Sequence, residues 1–295
     1  MKERITEDTA WNLVESVPPG LDGTTHAYPL AVPETPGGTV EVHPSGRWRT
    51  RLPVAPAARR IFDLYLPLRT RTPYAVGQIG QSLDGRIATA EGHSHYVTGP
   101  EDILRLHRVR ALVDAVVVGA GTVISDDPRL TVRRTSGKDP VRVVLDPRGR
   151  IDPGSRVFDE DRGSALLVRA PKAEAPTPPR VDVLTLRSHP ERGFDPEELR
   201  SVLAGRGLAR ILVEGGGITV SRFLQAGALD RLHITVAPIL MGSGRPGITL
   251  DPIASLNEAL RPSCRHFPLG PDLLFDLDLS GQSPEEGGPL QEGSP

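Results

Sequence analysis

The chain has 295 residues, a formal net charge of -2 and a single cysteine, Cys264. One cysteine rules out an internal disulfide framework and any cysteine-rich zinc site, including the paired-cysteine motif of zinc deaminases. Near-neutral charge argues against a broad nucleic-acid footprint, and no apolar run approaches the roughly 20 residues of a membrane helix. The first residues, MKERITEDTAW, lack the apolar core of a signal peptide, so the expected location is cytoplasmic.

All but three of the 35 basic residues are arginine. Anions will therefore meet planar guanidinium forks, which suit phosphate.

Residues 1–72 are dense in Pro and Gly. They read as an N-terminal extension that packs on a core, through the apolar patch Ile61, Phe62, Leu64, Tyr65 and Leu66. A short β-like run covers 39–42. From Pro73 the pattern alternates. Residues 74–79 read as a strand, and 100–113 as a helix with Pro100 in its first turn and Glu101 and Asp102 complementing the dipole. Strands follow at 115–118, 141–145 and 165–168. A helix at 195–203 opens on Asp195 as cap and Pro196. A strand at 210–213 leads into a helix at 218–225. Strands at 232–240 and 275–279 complete the set. Strands alternating with helices predict an α/β domain over 73–280. Residues 281–295 are a polar Gly/Pro/Glu tail, expected to be disordered.

Three strand-then-polar-loop segments stand out: GQIGQSLDGR (77–86), VVVGAGTVISDDPRLTVR (116–133) and RILVEGGGIT (210–219). Open α/β sheets place ligands where buried strands end in such loops. Glu214-Gly215-Gly216-Gly217 before a helix is phosphate-cradle geometry, since glycines bare the backbone N–H groups and the helix adds its dipole. The alternative is a tight strand-to-helix turn. Gly119-Ala120-Gly121-Thr122 is a second glycine turn. Asp84-Gly85 also suits a simple turn. Arg110, near a helix end, can point inward to the loops or outward to solvent, and Arg133 has the same two options. His93 and His95 lack a third ligand, so no metal is expected.

SLDGR, SHYVTGPED, HRVRALVDAVVVGAGTVISDDPRLTVR, PVRVVLD, ILVEGGG and LDRLHITVAPILMGSG occur in that order. Together they resemble the riboflavin-biosynthesis pyrimidine reductases, which stand alone in archaea and form the C-terminal half of a bacterial deaminase-reductase. The resemblance implies a dihydrofolate-reductase-like fold, a central mixed, mostly parallel sheet flanked by helices. It implies homodimers, NADPH as cofactor, and reduction of the ribosyl group of a 5-amino-6-ribosylamino-pyrimidine 5′-phosphate to a ribityl chain. Neither nucleic acid nor membrane is an expected partner.

Carried over by motif, Ser94, Arg110 and Arg133 are the implied ribose-phosphate ligands, with Leu130 as a wall for the same substrate. Glu214 is the implied acid that meets the pyrimidine. Gly80, Tyr96, Thr122, Asp126, Pro147, Gly216, Gly217, Ile218 and Thr219 are the implied cofactor surface. Asp84, close to the first core strand, or a water is expected to supply the proton. Two positions depart from the bacterial pattern: Gln78 stands where the bifunctional proteins carry lysine, and Tyr96 where they often have tryptophan. The archaeal form is similar in having a neutral amide at the first. Two competing readings remain: a reductase of the same fold acting on another pyrimidine or pteridine-like substrate, and a catalytically silent nucleotide-binding paralogue. The first gains if Ser94, Arg110 and Arg133 do not share one pocket.

Overall fold

The computed structural model describes residues 4–23, 26–33, 35–94, 97–159 and 163–281. The chain divides into two compact units, with the boundary between Tyr74 and Ala75. Among the described residues no helix is long and apolar enough to cross a membrane.

The first unit has its own core. Helix α1 (Glu7–Ser16) is capped by Thr6, whose hydroxyl accepts the Thr9 N–H, and opens with Glu7 and Asp8 facing the dipole. Strands β1 (Tyr28–Ala31), β2 (Thr39–Val42) and β3 (Trp48–Thr50) form an antiparallel sheet. Helix α2 (Pro56–Thr70) contains the apolar patch read in the sequence. There, Tyr65 meets Trp11 edge-on with ring centroids 5.4 Å apart, and Phe62 lies 4.8 Å from Trp48. Neither helix was read in the sequence: Pro56 and Pro67 mask α2, whereas α1 holds neither proline nor glycine. Pro56 starts α2, where its missing N–H costs nothing.

The second unit is built on a nine-stranded sheet. In chain order its elements are β4 (Tyr74–Ser82), β5 (Arg86–Ala88), α3 (Pro100–Leu112), β6 (Ala115–Gly119), α4 (Ala120–Asp126), β7 (Val141–Leu145), β8 (Ala165–Arg169), β9 (Asp182–Thr185), β10 (Ser188–His189) and β11 (Gly193–Phe194). Then follow α5 (Pro196–Gly205), β12 (Arg210–Glu214), α6 (Gly217–Gln225), β13 (Arg231–Ala237), β14 (Arg245–Pro246), β15 (Ser263–Leu269) and β16 (Asp272–Asp278). The order across the large sheet is β15-β16-β13-β4-β12-β6-β7-β8-β9. Strand β13 runs parallel to β4, and β12, β6, β7, β8 and β9 pair in parallel. Strands β16 and β15 add antiparallel pairs at one edge. The sheet is thus mixed and mostly parallel, as expected.

Parallel strands covered on both faces need continuous apolar runs, and Ala115, Val116, Val117 and Val118 are all fully buried. Val117, Val143, Leu166 and Val213 share one core with Leu199 and Leu203 of α5 and Val220 and Phe223 of α6.

Strand β9 and the short strands β5, β10, β11 and β14 were not read in the sequence, and three further details differ from it. The glycine turn at 119 continues into a helix, α4. Gly121 disfavours helix locally, with Gly119 only the N-cap, but burial of Ala120 and Val123 overrides that propensity. The strand expected over 232–240 stops at Ala237, because Pro238 has no N–H for the ladder, and Leu240 is 76% exposed. The edge strand β15 was missed. Pro268 blurs its pattern, yet an edge tolerates proline.

Candidate functional site

Where β4, β12, β6 and β7 end, a cavity of about 910 Å³ opens, the usual ligand position in such sheets. Of the expected substrate residues, Ser94, Arg110, Leu130 and Glu214 all line it. So do the expected cofactor positions Gly80, Thr122, Asp126, Pro147, Gly216, Gly217, Ile218 and Thr219. Tyr96 lies outside the described residues.

The two glycine turns are tied together. Thr122 Oγ1 accepts the Gly216 N–H at 2.7 Å. Gly215, at φ +89°, could take no side chain there, since a Cβ would lie 2.7 Å from that hydroxyl oxygen. The lining residues Gly215, Gly216 and Gly217 thus lead without side chains into the N-terminus of α6, where Ile218 and Thr219 also face the cavity. At the end of α4, the Ser94 hydroxyl donates to Asp126 Oδ1 at 2.9 Å. Leu130 is 3% exposed and held at φ +54°. A non-glycine residue rarely adopts that conformation unless the surroundings fix it.

Glu214 closes β12 and Arg110 lies in the last turn of α3. They meet as a bidentate pair, with Arg110 Nε 2.7 Å and Nη2 2.6 Å from the two carboxylate oxygens. Both side chains are under a tenth exposed. Arg110 Nη1 also donates to the Thr131 carbonyl at 3.3 Å. The helix-end arginine does point inward, but it reaches the cavity as half of a neutral pair.

Gln78 also lines the cavity. Behind it sits Arg105, 2% exposed, which donates to Gln78 Oε1, to Asp102 Oδ1 at 2.7 Å and to His233 Nδ1 at 3.1 Å. A guanidinium only donates, so it fixes which way the Gln78 amide faces: the oxygen toward Arg105, leaving the Nε2 hydrogens as donors. Gln78 thus offers a donor where lysine would, with the positive charge one hydrogen bond further back. Next along the network, His233 Nε2 lies 3.3 Å from Asp276. Burial would raise the Asp276 carboxyl, but Arg231 and His233 outweigh it and hold it well below the usual range. No periodicity marked Arg105, since buried arginine is rare on a core-facing helix position.

Two expected residues are not brought to the cavity. Arg133 is exposed and absent from the lining. Its backbone N–H donates to His107 Nδ1 at 3.0 Å and its Nη1 to Thr131 Oγ1 at 2.7 Å, which turns it away. Asp84 also stands outside the lining. Its carboxylate accepts from the Ser82 hydroxyl (2.5 Å) and from the N–H groups of Met241 (3.1 Å) and Gly242 (2.6 Å). The Ser82 bond, then the backbone bonds, pull its pKa down to about 2. An ionised, triply held carboxylate has no proton to give at neutral pH, so Asp84 latches the 241–242 loop instead of serving as proton source.

The sequence reading also missed cavity residues on the β7–β8 side: Arg148, Arg150, His189 and Arg222. Arg148 and Arg150, within three residues of Pro147, follow a buried strand and were findable by the same strand-then-loop rule. His189 and Arg222 were not, because they come from a small hairpin and a helix face.

Residues 73–268 match the model of the RibD C-terminal domain family. The chain is 36% identical over 220 residues to the 2,5-diamino-6-ribosylamino-4(3H)-pyrimidinone 5′-phosphate reductase of Methanothermobacter thermautotrophicus, covering 71% of this chain and 99% of that protein. It is 35% identical over 214 residues to riboflavin biosynthesis protein RibD of Mycobacterium tuberculosis, covering 71% of this chain but 55% of that longer protein. Among solved structures, a deaminase/5-amino-6-(5-phosphoribosylamino)uracil reductase from Thermotoga maritima superposes with a TM-score of 0.59 at 25% identity, over 77% of this chain and 64% of that one.

Proposed function

The chain belongs to the RibD C-terminal domain family, and we propose that it reduces the ribosyl group of a 5-amino-6-ribosylamino-pyrimidine 5′-phosphate to the ribityl form, with NADPH as donor, in riboflavin biosynthesis. One observation carries the reading: Glu214, Arg110 and Ser94 share a single cavity with the glycine turn at the α6 N-terminus.

The residues suit a dinucleotide. The α6 N-terminus lines the cavity through Gly217 to Thr219, and its dipole favours the charge of a diphosphate. A nicotinamide cofactor held by these residues would supply the hydride for C1′ of the open-chain imine, with the imine nitrogen taking its proton from solvent. The chain's own work is positional. Glu214 keeps lone pairs that can accept from the amino and ring N–H groups of the pyrimidine, and Arg110 holds that carboxylate in place. The Gln78 amide donates to an acceptor on the ribosyl chain. Ser94 and the second hydrogens of the Arg110 nitrogens meet the phosphorylated end. Arg133 is left out of that contact, and the remaining anchor is weaker than three ligands would make it. This keeps the reading of another pyrimidine substrate as the outcome to test against.

A two-copy assembly is part of the proposal. Leu240, Ile253, Leu256 and Leu260, between 49% and 76% exposed, are more apolar surface than a monomer usually leaves in one segment.

The test follows loss of the reduced-nicotinamide absorbance with two substrates, the deaminated pyrimidine and the one retaining its 2-amino group. Turnover of either supports the reading. Tight NADPH binding with turnover of neither refutes it in favour of another substrate.

A further inference from the structure

One end of the cavity carries positive charge that the reduction does not use. Arg148 and Arg150, just past β7, line it together with Arg222 of α6. Among the described residues none of the three pairs with a carboxylate. Their donors go to carbonyls instead: Arg148 Nη2 to Pro190 at 3.1 Å, and Arg222 Nη2 to Glu191. Burial, and then the charge of Arg148, lower the pKa of Arg222, so these two guanidiniums repel each other across the site.

The cluster is built rather than incidental. Buried Asp146 accepts the N–H groups of Arg150 and Ile151, each at 3.0 Å, and so fixes the loop that holds both arginines. Gly193, at φ +75°, leaves the space that Arg222 Nη1 occupies. His189 also lines this end, and its Nδ1 accepts from the Glu191 and Arg192 N–H groups at 3.2 Å. With Nδ1 an acceptor, the Nε2–H is left as a further donor. Glu191, exposed, is the one carboxylate residue lining this end among the described residues.

Three guanidiniums and an imidazole N–H, held together without a counter-ion, suit a phosphate monoester dianion. Two such groups exist in the proposed reaction, one on the substrate and one on the cofactor. Position separates them. Strand β7 lies three places from β4 in the order β4-β12-β6-β7. At about 4.8 Å per step, that is about 14 Å across the sheet from Gln78. A substrate whose reacting ribosyl chain lies beside Gln78 does not reach so far, whereas a stretched dinucleotide crossing the α6 N-terminus does.

We propose that Arg148, Arg150 and Arg222 bind the 2′-phosphate on the adenosine ribose of the dinucleotide and so select the phosphorylated over the unphosphorylated cofactor. This rests on the reductase reading above. The test is binding of NADPH and NADH to the full chain without substrate, read by reduced-nicotinamide fluorescence. The wild type is compared with Arg148→Gln, Arg150→Gln, Arg222→Gln and the triple variant. Each single change is expected to weaken NADPH by about 10- to 100-fold and to leave NADH unchanged. A wild type that binds both equally, or a triple variant that keeps the NADPH preference, overturns the proposal and leaves the reductase reading standing. Displacement of NADPH by ribose 5-phosphate in the wild type but not in the triple variant also overturns it, by giving the site to the substrate. A wild type that binds neither dinucleotide brings down both.

Discussion

Replacing Arg110 with methionine tests the site's electrostatics most directly. The change removes two charge-assisted hydrogen bonds, at 2.7 and 2.6 Å, from a Glu214 side chain that is 6% exposed. It also frees the Thr131 carbonyl of a donor. A buried carboxylate stripped of its partner costs about 3–5 kcal/mol. For a unit of this size each kcal/mol shifts the melting temperature by about 2–4 °C, so a fall of about 6–20 °C is expected. Glu214→Leu in the same chain removes the orphaned charge. The double variant should then recover at least about 2 kcal/mol relative to Arg110→Met alone, because a buried pair exchanged for apolar residues is often near neutral. Both tryptophans, Trp11 and Trp48, lie in the first unit. Urea unfolding is therefore followed by far-UV circular dichroism and not by their fluorescence. Single losses below about 1 kcal/mol, adding in the double variant, would refute the claim that Arg110 and Glu214 act as one buried pair.

Three further expectations follow from individual contacts. Gln78→Leu removes the oriented amide donor and should lower kcat with NADPH binding unchanged, while Gln78→Lys, which restores a donor, should retain activity; equal losses in both variants would show that the amide only fills space. Asp84→Asn should leave turnover unchanged, and a large drop in kcat with intact NADPH binding would return Asp84 to the chemistry. His107, 2% exposed, has its pKa lowered to about 4 by burial and then by Arg110, Arg133 and Arg134. The unfolded chain, with the free value of 6.5, takes up the proton first. Its contribution is thus full above pH 6.5 and is lost as pH falls toward 4, about 2 kcal/mol between pH 6.5 and about pH 5. Urea midpoints of wild type and His107→Gln across that window check it, and parallel curves would contradict the burial argument.

The sequence by itself determined the alternation of elements, the mostly parallel sheet and most of the cavity's walls. Those features are local: an apolar run, a glycine turn and a capped helix carry their own signals, and Glu214, Thr122 and Gly216 to Thr219 sit at fixed offsets from them. Only the tertiary structure decided what each charge does. Arg110 and Arg133 are both arginines beside the same predicted loops, yet α3 aims one at Glu214 while His107 and Thr131 hold the other aside. Asp84 looked like an acid near the reacting strand until Met241 and Gly242, far off in sequence, claimed its oxygens. Arg105 and Arg222 carried no local mark at all. A charged side chain's role depends on what it pairs with, and those partners are set by packing between distant segments, which no short stretch of chain encodes.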